Sequence, residues 1–370
     1  DKLAKLVGNH KDTFQKLHSV EIALGRRFHE MEHASEALVL AAACGEPLLF
    51  IGPPGTGKSL FIRSFCDLVG LKASKKAKSN GSEGSSSKVI DYFEYLLTPF
   101  TEPGELFGHY NIVLAQHDKK LVRDEVGMMQ QAKVVYLDEV FNGSSAILNS
   151  LLSFIQEKRF HDRGGWQPVE LQCLFAATND IPAQPELRAV YDRFTFRCWI
   201  DNIADYATSA FSRPLLSLLE KGWLETYGRP DGDKDDQSLT RDIITPTFPG
   251  LLDKLAVFRQ DLRGLVDPYN ERNVSGRSIS NLPVRPVENF FGMLAQDVSR
   301  STQKNLGRMS NRRLVRLLYA MLVHRIYRTA NGKSDAQPYL TDDDFRILVY
   351  FLDRRDRQNE QQMRFTELRQ

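Results

Sequence analysis

Apolar residues recur at helical spacing through roughly residues 3–43, with an interruption near Gly25. They predict two helices leading into a turn at Gly45, Glu46 and Pro47. The period then changes. Leu48, Leu49, Phe50 and Ile51 follow Pro47 as a short apolar run suited to a strand buried on both faces, and Leu60, Phe61, Phe65, Leu68 and Val69 mark a helix ending at Gly70. Further apolar runs at 89–97, 134–137, 171–177 and 194–200 alternate with helical patterns. That alternation predicts an α/β fold in which a parallel sheet is flanked by helices and sites lie at the carboxyl ends of strands.

After residue 200 the strand signals fade. Helical patterns at 204–226, 251–265, 287–298, 311–327 and 341–354 predict an all-helical second domain with polar stretches at 228–242 and 267–285 between its helices. The expected organisation is therefore N-terminal helices over 1–45, an α/β core over 46–203 and a helical domain with polar insertions over 204–370. Residues 72–88, rich in Lys, Ser and Gly, read as a polar loop within the core.

Composition narrows the class. With 26% charged and 42% hydrophobic residues, the chain has the balance of a water-soluble globular protein, and 370 residues suffice for two packed units. Lys and Arg exceed Asp and Glu by 49 to 47, so no global charge demands nucleic acid or lipid. Cys44, Cys66, Cys173 and Cys198 are too far apart for a zinc or disulfide framework, which points to a reducing, cytoplasmic compartment. No apolar stretch approaches the ~18 residues of a membrane span. The first residues show no signal-peptide pattern, and a start at Asp1 rather than Met suggests a trimmed chain.

The candidate chemistry begins at the first strand. Gly52, Pro53, Pro54, Gly55, Thr56, Gly57, Lys58 and Ser59 satisfy the pattern G-x-x-x-x-G-K-[ST] between a predicted strand and a predicted helix, the context a phosphate-binding loop needs. Its glycines let successive N–H groups turn onto a phosphate chain at a helix N-terminus. Lys58 would meet the β- and γ-phosphates of ATP and Ser59 would ligate Mg²⁺, with Leu60 completing the nucleotide-contact set. The strand at 134–137 ends in Asp138 and Glu139. Two carboxylates at a buried strand tip suit a division of labour, with Asp138 supporting Mg²⁺ and Glu139 polarising the attacking water. Another strand ends at Asn179, which is placed either to reach between the γ-phosphate and that water or to shape a turn before Pro182. Arg193, before the last strand, is a candidate phosphate ligand. It has a local alternative in pairing with Asp192, and Arg188 is a second candidate for its role.

Together these residues resemble the AAA+ superfamily of P-loop NTPases: a Walker A at 52–59, a Walker B at 134–139, a sensor-1 Asn at Asn179 and an arginine-finger box at Asp192, Arg193 and Phe194. The likeness is strongest to the MoxR group and its RavA-like branch, carried by FEYLLTPFTEPGELFG at 93–108, DEVFNGSSAILNSLL at 138–152 and AVYDRF at 189–194. It covers about 25–200. Beyond that, Ser310 to Arg313 open a helix as the family's sensor-2 helix begins, so the resemblance assigns sensor 2 to Arg312, with Arg313 as the neighbouring alternative. Where the family has a compact lid, this chain inserts 267–308.

The resemblance implies ATP and Mg²⁺ as ligands and a homo-oligomer, a hexameric ring with ATP held between subunits. It further implies chaperone-like remodelling of a protein substrate with a von Willebrand factor A domain partner. A hairpin over 106–121 would stand near the ring's pore, and Phe28 and His29 would flank adenine. An ATP-driven motor on nucleic acid is the second reading; its one local support is the basic run Lys72, Lys75, Lys76 and Lys78, which lacks interleaved aromatics. A nucleotide-gated scaffold with negligible turnover is the third, and a water-polarising Glu139 argues against it.

Overall fold

The computed structural model describes residues 2–28, 30–71, 91–110, 123–162, 165–201, 247–266, 310–333 and 342–351. The polar loop expected at 72–88, most of the hairpin expected at 106–121, His29, the helices expected at 204–226 and 287–298, and the polar stretches at 228–242 and 267–285 lie outside the described residues.

Two helices open the chain, α1 (Lys2–Arg27) and α2 (Glu32–Cys44). The break falls after Arg27 rather than at Gly25, because a single glycine costs a helix only about 1 kcal/mol when its neighbours pack. Leu6, Phe14, Leu17, Val20 and Leu24 form the buried stripe of α1, and α2 is buried almost all round, as its run of alanines allows.

The core is a five-stranded parallel sheet in the order β2-β3-β6-β1-β7. Its strands are β1 (Leu48–Ile51), β2 (Tyr92–Leu96), β3 (Val134–Asp138), β6 (Cys173–Thr178) and β7 (Phe196–Trp199), which match the predicted apolar runs. Period-two alternation gives the sheet two dry faces. Leu48, Phe50, Tyr136, Phe175 and Phe196 face one apolar cluster with α1, α2 and α3 (Lys58–Leu68), while Leu49, Ile51, Val135, Leu137 and Ala176 face the other. That second cluster packs against α4 (Pro103–Phe107), α5 (Ser145–Glu157) and α6 (Pro185–Tyr191).

An antiparallel hairpin of β4 (Arg159–Asp162) and β5 (Gly165–Pro168) was not expected from the sequence. Its polar stretch carries Phe160 and Trp166 as its apolar residues, too few for a period to show. Phe160 anchors it by stacking on Phe107, with ring centroids 4.4 Å apart.

Beyond the sheet the described elements are helical: α7 (Leu251–Val266), α8 (Asn311–Ala330) and a 3₁₀ segment, Asp342–Tyr350. The last was expected as an α-helix. Asp344, Ile347 and Tyr350 are all buried at three-residue spacing, the repeat that a 3₁₀ helix presents to one side. The Tyr350 hydroxyl lies 3.0 Å from the His33 carbonyl oxygen and 2.7 Å from a Glu36 carboxylate oxygen, which share its one proton and hold this run on α2. Phe14 meets Phe258 of α7 at 4.7 Å and Tyr327 of α8 at 6.1 Å, so the first helix shares its core with the last ones. Among the described residues no helix is long and apolar enough to cross a membrane.

Phe14→Ala should cost about 3–5 kcal/mol in urea unfolding by opening a cavity where α1, α7 and α8 meet. Phe100→Ala, at a side chain 90% exposed, should change stability by less than ~0.5 kcal/mol. Equal effects of the two would remove α1 from the shared core.

Candidate functional site

Three segments far apart in sequence end side by side because β1, β6 and β3 are neighbours in the sheet. Ile51 pairs with Thr178 and Leu137 with Ala176, so Gly52, Asp138, Glu139 and Asn179 all leave the sheet at its carboxyl edge. Gly52 passes between two strand ends: its N–H donates to the Thr178 carbonyl at 3.1 Å, and a Cβ there would lie 1.9 Å from the Ile200 carbonyl oxygen. Gly55 and Gly57 take left-handed φ values of 82° and 80°, which a side chain would disfavour.

Lys58 opens α3 behind Gly57, a position with no side-chain cap. The first N–H groups of α3 are therefore available to an anion. The buried Lys58 ammonium donates to the carbonyls of Gly52 at 2.7 Å and Pro53 at 2.8 Å, and lies 3.3 Å from Thr56 Oγ1. Burial lowers its pKa, opposed by the charges of Asp138 and Glu139. Besides facing the site where phosphate was expected, this lysine braces the loop.

Ser59, the next residue on α3, donates its hydroxyl to Asp138 Oδ2 at 3.0 Å. Asp138 Oδ1 in turn accepts from the Glu139 N–H at 3.1 Å. Glu139 sits in the left-handed region (φ 50°, ψ 47°), a conformation that costs a non-glycine residue about 1–3 kcal/mol and concentrates at functional sites. Burial, then the Asp138 charge, raises the Glu139 carboxyl above its ordinary value, while Lys58 and the Asn179 side chain pull it down. Asn142, which the sequence reading did not single out, places its amide nitrogen 3.5 Å from Glu139 Oε2. Asn179 keeps a buried Oδ1 without a hydrogen-bond partner among the described residues.

The other candidates do not join this cluster. Arg193 lies three residues before Phe196, which pairs with Leu48 at the start of β1, so it stands at the amino edge of the sheet. Strand length alone puts that edge on the order of 10 Å from the loop at 52–59. Arg193 donates to the Ala189 carbonyl at 2.6 Å, and its pKa is lowered by burial and by the nearby Arg312 charge. Arg312 is exposed beside it, whereas Arg313 is buried and donates to the Phe351 carbonyl. Ser310 bonds Asp192 at 3.1 Å, and Arg316 bonds Thr195 at 2.8 Å and pairs with Glu46 at 3.2 Å, which ties the start of α8 to this same edge. Arg188 is exposed on α6. Phe28 is buried edge-on to Phe61 at 5.0 Å, and Leu60 is partly exposed on the first turn of α3.

The carboxyl-edge cluster fits a nucleoside triphosphate with Mg²⁺. It offers an ammonium, uncapped helix N–H groups and a hydroxyl–carboxylate pair of the hard oxygen donors that Mg²⁺ prefers. Among the described residues no group of three or more His, Cys, Asp or Glu could hold a metal by itself, and a cation held largely by phosphates needs none.

Comparison with solved structures gives the same fold. A crystallised protein of Cytophaga hutchinsonii to which an ATPase function is ascribed aligns over 98% of this chain and 96% of its own, with a TM-score of 0.59 and 14% identity, a likeness of fold alone. Residues 77–243 match the family model bpMoxR, the MoxR domain in MoxR-vWA-beta-propeller ternary systems. That match covers a little less than half of the chain, and the structural likeness shows the fold alone. The MoxR match takes in Asp138, Glu139, Asn179 and Arg193 and begins after the loop at 52–59. Two uncharacterized proteins of Methanocaldococcus jannaschii are each 33% identical, over 186 and 190 residues, or 50% and 51% of this chain. The aligned stretches are 44% and 46% of those proteins, so the chain spans less than half the length of these relatives.

Lys58→Ala removes two charge-assisted interactions with phosphate, so titration with a fluorescent ATP analogue should show affinity lowered about 100-fold or more. The fold should persist, with the loop at 52–59 loosened. Unchanged affinity in a folded variant would remove the phosphate-site assignment.

Proposed function

We propose that this chain is an ATP-hydrolysing ring ATPase of the MoxR type, in its RavA-like branch, that couples turnover to chaperone-like remodelling of a protein substrate. The observation that carries the reading is the convergence of Lys58, Ser59, Asp138, Glu139 and Asn179 at the carboxyl ends of three adjacent strands, with Ser59 already bonded to Asp138. Lys58 neutralises charge on the β- and γ-phosphates, and Ser59 and Asp138 hold Mg²⁺. Bound Mg²⁺ supplies further compensation of phosphate charge. Glu139, held by its left-handed backbone and by the hydrogen bond from its N–H to Asp138, polarises the attacking water, and Asn179 orients it.

Arg193 and Arg312 occupy the opposite edge, so the natural destination of their guanidinium groups is another subunit's nucleotide. Two neighbouring arginines, with Asp192 as the carboxylate beside them among the described residues, form a receptor for a highly charged anion. A closed head-to-tail hexamer brings that edge against the carboxyl-edge cluster of the next chain. The description of the matching family supports a partner with a von Willebrand factor A domain within a larger complex. Cys44, Cys66 and Cys173 are buried thiols, which accords with a reducing cytoplasmic setting.

Glu139→Gln should retain ATP binding and lose hydrolysis, and Arg193→Ala should do the same, each with a rate loss on the order of 10³-fold. Mixing the two inactive proteins should restore part of the activity, because a subunit with intact Glu139 can then face an intact Arg193. Mixed rings that form and stay inactive would show that Arg193 does not act across the interface, and Arg188 would be tested next.

A further inference from the structure

Asp138 is not the sole neighbour of the Ser59 hydroxyl. Its Oγ also lies 3.3 Å from the phenolic oxygen of Tyr136. Tyr136 is in the middle of β3 and fully buried, with Phe175 and Glu94 as its cross-strand neighbours, two positions before Asp138 and hence on the same face of the strand. A buried hydroxyl in such a strand is costly unless it is hydrogen-bonded, and phenylalanine would fill the same space without that demand. The hydroxyl is directed at the one side chain of α3 that is placed to ligate a metal.

Behind this contact a second polar link joins the same two elements. Glu94 is the cross-strand neighbour of Tyr136 on β2. It accepts from Arg63 at 2.7 and 2.9 Å and from the Tyr92 hydroxyl at 2.9 Å. Arg63 lies one helical turn beyond Ser59 on α3, so Ser59–Tyr136 and Arg63–Glu94 fasten successive turns of that helix to the sheet. Arg63–Glu94 is on the outside and fixes the helix against β2; Ser59–Tyr136 is on the inside, beside Asp138, and holds the Ser59 hydroxyl.

We propose that Tyr136 is a positioning residue for Ser59: its hydroxyl donates to one Oγ lone pair while Asp138 takes the Ser59 proton, which holds the rotamer with the remaining lone pair presented to a divalent cation and raises the affinity of the site for Mg²⁺. A serine hydroxyl has three staggered orientations of comparable energy, and a ligand oxygen confined to the productive one loses less entropy on binding metal. Asp138 alone leaves Ser59 tethered to a group that is itself needed by the cation. The tyrosine hydroxyl is a tether outside the metal's own shell, a role like that of the outer partners which orient ligands in other metal sites. This inference rests on the nucleotide reading given above.

The test is binding of a fluorescent, non-hydrolysable ATP analogue to the full chain, titrated with Mg²⁺ and repeated in EDTA. Tyr136→Phe should raise the half-saturating Mg²⁺ concentration about fivefold, the equivalent of one ordinary hydrogen bond, and leave affinity in EDTA unchanged. Tyr92→Phe, which removes a hydroxyl from the same network without touching Ser59, should leave the Mg²⁺ dependence as in the parent. An unaltered Mg²⁺ dependence in Tyr136→Phe, or an equal shift in Tyr92→Phe, overturns the positioning role while leaving the nucleotide site intact. Weaker binding of equal size with and without Mg²⁺ also overturns it, since that is the signature of a packing defect. A parent protein that binds the analogue with no response to Mg²⁺, or does not bind it, overturns this proposal together with the nucleotide reading.

Discussion

The chain leaves β1 through a gap between the ends of β6 and β7 that admits only glycine, since a Cβ on Gly52 would fall 1.9 Å from the Ile200 carbonyl oxygen. With its N–H tied to Thr178, Gly52 cannot shift away, and the loop after it must double back through the left-handed Gly55 and Gly57 before α3 begins. The consequence is geometric: the uncapped start of α3 and the Lys58 ammonium end above the tips of β3 and β6, where Asp138, Glu139 and Asn179 emerge. The contacts between α3 and the strand tips depend on that placement, above all the Ser59–Asp138 bond, which joins residues 79 positions apart.

The same sheet divides the machinery in two. Groups suited to bind and activate collect at its carboxyl edge, while Arg193 and Arg312 stand together at its amino edge with Asp192, Ser310 and Thr195 around them. On the function proposed here, closing the two sets on one nucleotide takes a second chain, and the affinity of one subunit for the next would then become part of the chemistry.

Much of this was legible in the sequence because its signals are local and strong. Buried strands appear as continuous apolar runs at 48–51, 134–137 and 173–177, and the loop glycines and lysine carry their own spacing. Other features depend on contacts between distant residues, which no local period encodes. Arg312 and Arg313 are adjacent on α8 and point about 100° apart. Which of them is buried was decided by the 3₁₀ segment ending near Phe351, which Arg313 binds. The hairpin at β4 and β5 is anchored to the core by a contact between distant residues, Phe160 stacked on Phe107 across more than fifty positions. Tyr136 left a faint sign, a hydroxyl-bearing ring inside an otherwise aliphatic strand on the same face as Asp138. Its meaning depended on where Ser59 would lie.

A site divided between two edges makes a demand on concentration that can be measured without any substitution. Steady-state ATP turnover per chain, recorded with saturating ATP and Mg²⁺ across a dilution series and paired with sedimentation velocity at each concentration, tests the account most directly. Turnover per chain should be substantial where rings dominate and should collapse in parallel with the ring population on dilution. Turnover per chain that stays constant down to concentrations at which only monomers sediment would contradict it, as would rings that form readily and hydrolyse no ATP.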